Sequence, residues 1–258
     1  EIILTKLCLK SLILSVGNKT LLHDLSMTIN KGERWGLLGK NGAGKTSLLK
    51  CLAGILSPKG GSILLDSIPM KDYSRNQLAQ HIGMLFQEGL SSLPATVLET
   101  VLLGRHPHHR SLIEDSLTDL QMVDSILGEL GLETLKERKL HTLSGGELQR
   151  VSIALLLAQD PKIFLLDEPT NHLDIAFQVR LSHILTKRVT QTSASFLLAT
   201  HDINYANQFC DKLILMLENG KPIVGDKQQI LTEENLSQAY NCKIEKFSKE
   251  DSFIFYPA

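Results

Sequence analysis

With 258 residues the chain is long enough to bury one large core or two small ones. An apolar share of 43% and a charged share of 21% exclude a disordered chain and a coiled coil. Lysine plus arginine (27) nearly cancels aspartate plus glutamate (28), and a net charge of −1 argues against binding nucleic acid through bulk positive charge.

In chain order, short strand-like runs occur over residues 4–9, 11–15 and 27–29. Asn30-Lys31-Gly32 turns the chain into a buried strand over 33–38, and a helix over 45–53 is closed by Gly54. The turn at 58–61 precedes a strand over 62–66, and 82–86 is another short strand. From about 87 to 159 the signals are helical. Leu120, Val123, Leu127 and Leu130 recur at helical spacing before Gly131, and residues 144–147 have the S-x-x-E form of a capping box. Alternation follows: strand 163–167, helix 175–188, strand 196–200, helix 203–209, strand 213–217. A capped helix over 232–240 and a hairpin over 243–256 end the chain. This pattern predicts an α/β fold with a mainly parallel sheet, into which the helical middle is inserted.

The longest apolar run, 153–158, has six residues, against roughly 18 or more for a bilayer span. The N-terminal stretch lacks a basic front end and a small-residue cleavage site, so a cytosolic chain is expected. Cys8, Cys51, Cys210 and Cys242 lie far apart without a C-x-x-C pair and read as reduced thiols.

Gly39-Lys40-Asn41-Gly42-Ala43-Gly44-Lys45-Thr46 fits G-x-x-x-x-G-K-[ST] between a predicted strand and a predicted helix. Its glycines let backbone N–H groups turn inward on an anion, and the helix adds its positive end. Lys45 is expected to reach the outer phosphates, and Thr46 to offer its hydroxyl to Mg²⁺. Residues 163–168 are four apolar residues followed by Asp167 and Glu168. Such a run is a buried central strand whose C-terminal end meets ligands. Asp167 is placed to hold Mg²⁺, and Glu168 to polarise an attacking water. Leu143-Ser144-Gly145-Gly146-Glu147 makes a second anion site at a helix start.

With both sites on one chain, the sequence strongly resembles the ATP-binding cassette (ABC) family over about residues 2–240. The motifs stand in family order: residues 39–46, Gln87, residues 143–147, residues 163–168, Asn171-His172-Leu173-Asp174, and His201. The resemblance implies a phosphate-loop (RecA-like) core with an N-terminal antiparallel β part, over 1–86 and 160–235. It implies an inserted helical part over 87–159 and a short extension over 236–258. It implies ATP and Mg²⁺ as cofactors and a homodimer closed by ATP. In that dimer the loop 39–46, with Ser47, faces residues 143–147 of the other subunit across each nucleotide, and Asp174 lies at the seam. Glu168 is the implied catalytic carboxylate. Gln87 is implied to contact Mg²⁺ and the attacking water, and His201 to bind the γ-phosphate.

Two positions depart from the family pattern. Glu147 stands where glutamine is usual, and Val16 where the family stacks adenine on an aromatic residue. Trp35 is too close to its strand to take over and is expected to be packed. Residues 103–108, about 17 after Gln87, resemble the subfamily serving iron–siderophore, haem and cobalamin importers. So does the short tail after residue 232. The implied protein is the ATPase subunit of such an importer, peripheral on the cytoplasmic side of the inner (plasma) membrane. Its implied partners are membrane-spanning permease subunits and, indirectly, a periplasmic or surface substrate-binding protein, with no nucleic acid. The alternative is the soluble cassette ATPase of iron–sulfur cluster assembly. Leu90, Leu93, Val97, Leu103 and Arg105 are expected to offer a docking face to the permease, about half of these apolar residues serving as local core. His106, His108 and His109 read as part of a structural or coupling loop, since no acid stands at ligand spacing.

Overall fold

The computed structural model describes residues 6–17, 19–86, 90–108, 116–249 and 252–258. The chain opens with a hairpin of β1 (Leu7–Val16) and β2 (Lys19–Ile29), Leu7 opposite Ile29 and Leu14 opposite Leu22. The sequence suggests three short strands here because Leu9 and Leu12 are three apart, out of step with a two-residue period. The structure has two long strands instead. A bulge with Ser11 at φ 46° returns Leu12 to the core side, so Leu7, Leu9, Leu12 and Leu14 are all buried. The neighbouring strand fits the bulge only through Gly61, where an added Cβ would overlap the Ser11 carbonyl.

β3 (Arg34–Leu38) runs through the glycine-rich loop into α1 (Lys45–Leu52), followed by β4 (Gly60–Leu65) and β5 (Ile68–Pro69). Next comes α2 (Arg75–His81), which periodicity does not reveal. None of its residues is buried, so it carries no apolar stripe, and only the capping box of Ser74 with Gln77 marks it. Then follow β6 (Ile82–Leu85), α3 (Val97–Leu102), α4 (Leu117–Glu129), α5 (Gly145–Gln159), β7 (Ile163–Asp167) and α6 (Ile175–Thr192). The chain continues with β8 (Ser195–Ala199), α7 (Ile203–Phe209), β9 (Lys212–Leu215) and β10 (Ile223–Asp226). It ends with α8 (Lys227–Ile230), α9 (Glu233–Tyr240) and the hairpin β11 (Ile244–Lys249) with β12 (Ser252–Pro257).

The main sheet has six strands in the order β10-β9-β3-β8-β7-β6. All its pairings are parallel except β10 on β9. β7 and β8 are buried along their whole length, as continuous apolar runs require when both faces are covered. One face carries the antiparallel sheet β2-β1-β4-β5 and α1, with Leu37, Leu48, Leu165 and Leu197 in its core. The other packs on helices through Leu38, Val151, Leu166 and Leu198. Trp35 is 3% exposed, and all four cysteines are free thiols.

Arg105 departs from the sequence expectation. Its Nε donates to Asp119 Oδ1 at 2.7 Å and its Nη1 to the Ala158 carbonyl at 2.7 Å. Asp119 is buried and Arg105 largely covered, so the pair braces α4 against α5 rather than facing a partner. Val97 is likewise core, whereas Leu93 and Leu103 are exposed.

Candidate functional site

The phosphate-type loop is shaped by backbone that side chains disfavour. Gly44 takes φ 100° at the start of α1, and an added Cβ would lie 3.0 Å from Leu21 Cδ1. The first turn of α1 holds no acid, so its N–H groups face outward without an internal competitor. Lys45 is buried, its Nζ donating to the Gly39 carbonyl at 2.7 Å and the Lys40 carbonyl at 3.2 Å. Burial pulls its pKa below the ordinary lysine value, and the nearby Glu168 and Asp167 carboxylates oppose that shift.

Those carboxylates end β7. Asp167 pairs with Ala199 of β8 and is almost fully buried, which raises its pKa; the Thr46 hydroxyl and Lys45 oppose the rise. Asp167 Oδ1 is buried without a hydrogen-bond partner among the described residues. Glu168 sits at φ 47°, an uncommon conformation for a residue with a side chain. Its N–H donates to the Ala199 carbonyl at 2.9 Å. Glu168 Oε2 is 2.9 Å from His201 Nδ1, and the imidazole is 61% exposed against 8% for the carboxylate. The pair therefore joins a buried acid to a ring that solvent reaches.

Val16, Asn41, Gly42, Gly44, Lys45, Thr46, Ser47, Asp167, Glu168 and His201 line one open cleft of about 650 Å³. Gly39, Lys40 and Ala43 complete the loop behind it, where Lys40 Nζ bonds Glu218 Oε1 at 2.7 Å. Lys19, Leu21 and Asn171 also line the cleft. The first two carry no motif and arrive because the β1–β2 hairpin folds over the loop; only the pattern Asn171-His172-Leu173-Asp174 pointed to the third. Val16 is half exposed and offers a small apolar contact in place of a ring. Stacking on an aromatic contributes about 1–3 kcal/mol per base, and a valine contact ignores the edge that separates adenine from guanine. GTP is therefore expected to compete with ATP, with a preference for ATP below about 100-fold. Competition binding with the two nucleotides measures it, and a larger preference would assign base reading to another residue.

Residues 143–147 do not line the cleft. Ser144 caps α5 in a closed capping box: Glu147 Oε2 accepts from Ser144 N and from Ser144 Oγ at 2.7 Å, and Ser144 Oγ accepts from Glu147 N at 3.3 Å. The Ser144 N–H holds the Glu147 carboxyl below the usual carboxylate range. Asp174 lies away from the cleft as the N-cap of α6, its Oδ1 accepting from Phe177 N at 2.7 Å. Gln87 and His109 lie outside the described residues. His108 Nε2 is 2.8 Å from the Gln159 carbonyl oxygen. Among the described residues, no group of three or more His, Cys, Asp or Glu side chains is placed to hold a metal ion. No helix of the described residues is long and apolar enough to cross a membrane.

Comparison with known proteins agrees with this geometry. The sequence profile of the ABC transporter family matches residues 22–171. The hemin import ATP-binding protein HmuV of Escherichia coli O157:H7 is 35% identical over 242 residues, covering 91% of this chain and 92% of that protein. A solved structure described as an ABC transporter of metal-chelate type, inward-facing, superposes with a TM-score of 0.83 at 29% identity, covering 98% of each chain. A dimeric ATP-binding cassette in a post-hydrolysis state, bound to ADP and Pi, gives a TM-score of 0.75 at 27% identity over 85% of this chain and 98% of that one. The loop, the acid-ended strand and the full-length match together place the chain in the ABC transporter family, as an ATP-binding subunit of the kind whose ATPase activity powers transport.

Proposed function

We propose that the chain is the ATPase subunit of an importer for an iron–siderophore, haem, cobalamin or related metal-containing cargo. The likeness to a hemin import subunit and to a metal-chelate type transporter, tail included, carries this reading. The iron–sulfur assembly alternative is set aside because these full-length likenesses are to transporter proteins. In the cleft, residues 39–47 hold the phosphates, Lys45 adds the positive charge and Glu168 accepts the proton of the attacking water. His201 contacts the γ-phosphate and steadies Glu168, and Gln87 completes the water site. Mg²⁺ fits this donor set: the unpartnered Asp167 Oδ1 and the Thr46 hydroxyl are hard oxygens beside the phosphate cradle. Bound there, it would neutralise phosphate charge.

The place of residues 143–147 outside their own chain's cleft supports their serving the nucleotide of a second copy, with Asp174 at the seam; there Glu147 would have to release the Ser144 N–H and hydroxyl that it holds here. In this reading the chain divides into a core (1–86 and 160–235), a helical insertion (87–159) and an extension (236–258). A permease would dock in the apolar groove lined by Met84, Phe86, Leu90, Leu103 and Pro107. In this reading the subunit works on the cytoplasmic side of the membrane, with a substrate-binding protein acting through the permease and no role for nucleic acid.

The test is uptake. Cells lacking this chain are expected to lose accumulation of labelled ferric siderophore, haem or cobalamin. The native chain should restore it, while Leu103→Glu should fold and bind ATP but not restore it. Unchanged uptake of all three cargoes after deletion would reject the import reading.

A further inference from the structure

The end of α9 meets the phosphate loop from behind. Asn241, which follows α9 at φ 52°, donates through Nδ2 to both Glu218 oxygens, at 3.1 and 3.0 Å. The same carboxylate accepts from Lys40 Nζ at 2.7 Å. The preceding Tyr240 has a buried hydroxyl that makes no hydrogen bond among the described residues, and the Gly39 backbone faces it. Gly39 and Lys40 are the two residues whose carbonyls accept from Lys45 Nζ. Both supports of Lys45 are thus backed by two consecutive residues from the far end of the sequence, and neither Glu218 nor Asn241 belongs to a recognised motif.

We infer that Glu218 and Asn241 are positioning residues for ATP binding: by fixing Lys40, they hold the loop in the form that seats Lys45, so the terminal helix sets nucleotide affinity. The inference rests on the nucleotide cleft proposed above. The plain alternative is an inconsequential surface pair, since the Lys40 and Glu218 side chains are 31% and 60% exposed. Three features oppose it. Glu218 is held from two sides, its partner Asn241 is fixed by a left-handed backbone, and the backbone of Lys40 carries one of the bonds to Lys45.

The test uses the full chain with Glu218→Gln, Asn241→Gly and the double variant. Glycine suits the left-handed φ, so Asn241→Gly removes the amide without straining the turn. Each single change is expected to raise both the ATP Kd by calorimetry and the KM by about two- to fivefold, the range for a partly exposed ion pair. The kcat should stay at the native value. The double variant should match the worse single one, because both act through one chain of bonds. Unchanged Kd and KM, a lower kcat at native KM, or additive single effects would each overturn the inference. Should Asn241→Gly melt below the assay temperature, Glu218→Gln alone decides. A native chain that binds no ATP, or a Lys45→Ala variant that binds it normally, would reject the nucleotide cleft itself and is recognisably a different result.

Discussion

Glutamine in place of Glu168 is expected to slow ATP hydrolysis at least about 100-fold while MgATP still binds, the loss typical of a removed general base. The substitution is nearly isosteric and keeps an acceptor for His201, which lies 2.9 Å from the carboxylate. The cleft should therefore keep its shape, and the loop around Lys45 is untouched. What disappears is the group able to take a proton from water. Because residues 143–147 lie outside the cleft of their own chain, each trapped nucleotide should hold two copies together. Sedimentation with MgATP is expected to show a dimer of Glu168→Gln and a monomer without nucleotide. Native turnover would remove Glu168 from the chemistry, and a strictly monomeric variant at high concentration would count against nucleotide-mediated pairing.

Alanine in place of Lys45 is expected to abolish hydrolysis, chiefly by weakening ATP binding at least about 100-fold through loss of charge-assisted bonds in a buried setting. The deletion removes the buried cation that stands beside Asp167 and Glu168, so the cleft becomes net repulsive to phosphate. Stability should respond differently. The folded-state pKa of Lys45 is lowered, so burial disfavours its charged form and native Lys45 contributes no favourable protonation linkage to folding. The nucleotide-free variant is expected to stay folded, while the rise in Tm caused by ATP disappears. Calorimetry and paired melts with and without ATP check both halves; normal turnover by this variant would dismiss the assignment of the loop.

The site was legible in the sequence where chemistry and strand pattern coincide. The glycines before Lys45 and the apolar run before Asp167 leave few alternatives, and the cleft gathers both. The edges were legible only in part. β1 reads as two pieces because its bulge breaks the two-residue period at Ser11, and α2 escapes periodicity because none of its residues is buried and only Leu78 packs partly against the core. Arg105 looked like surface because a lone charge in a loop usually is; its partner, Asp119, stands fourteen residues on, in another helix. Lys19 and Leu21 reach the cleft, and Glu218 reaches Lys40, only through tertiary folding, which local spacing does not encode.

The order of strands also dictates when the cleft can exist. β3, which launches the loop, pairs through Arg34 with Phe196 and through Trp35 with Lys212. Both neighbours are made long after β3 itself. At 5–20 residues per second, β3 waits about 10–30 s on the ribosome for its flanking strands. Throughout that time Leu37 and Leu38, both fully buried at the end, lack the sheet that covers them. Closing so distant a pairing is slow, because the loop-closure entropy must be met before the strand contacts form. The cleft needs both β7 and β8 beside β3, so nucleotide supply cannot rescue a chain that stalls before β8.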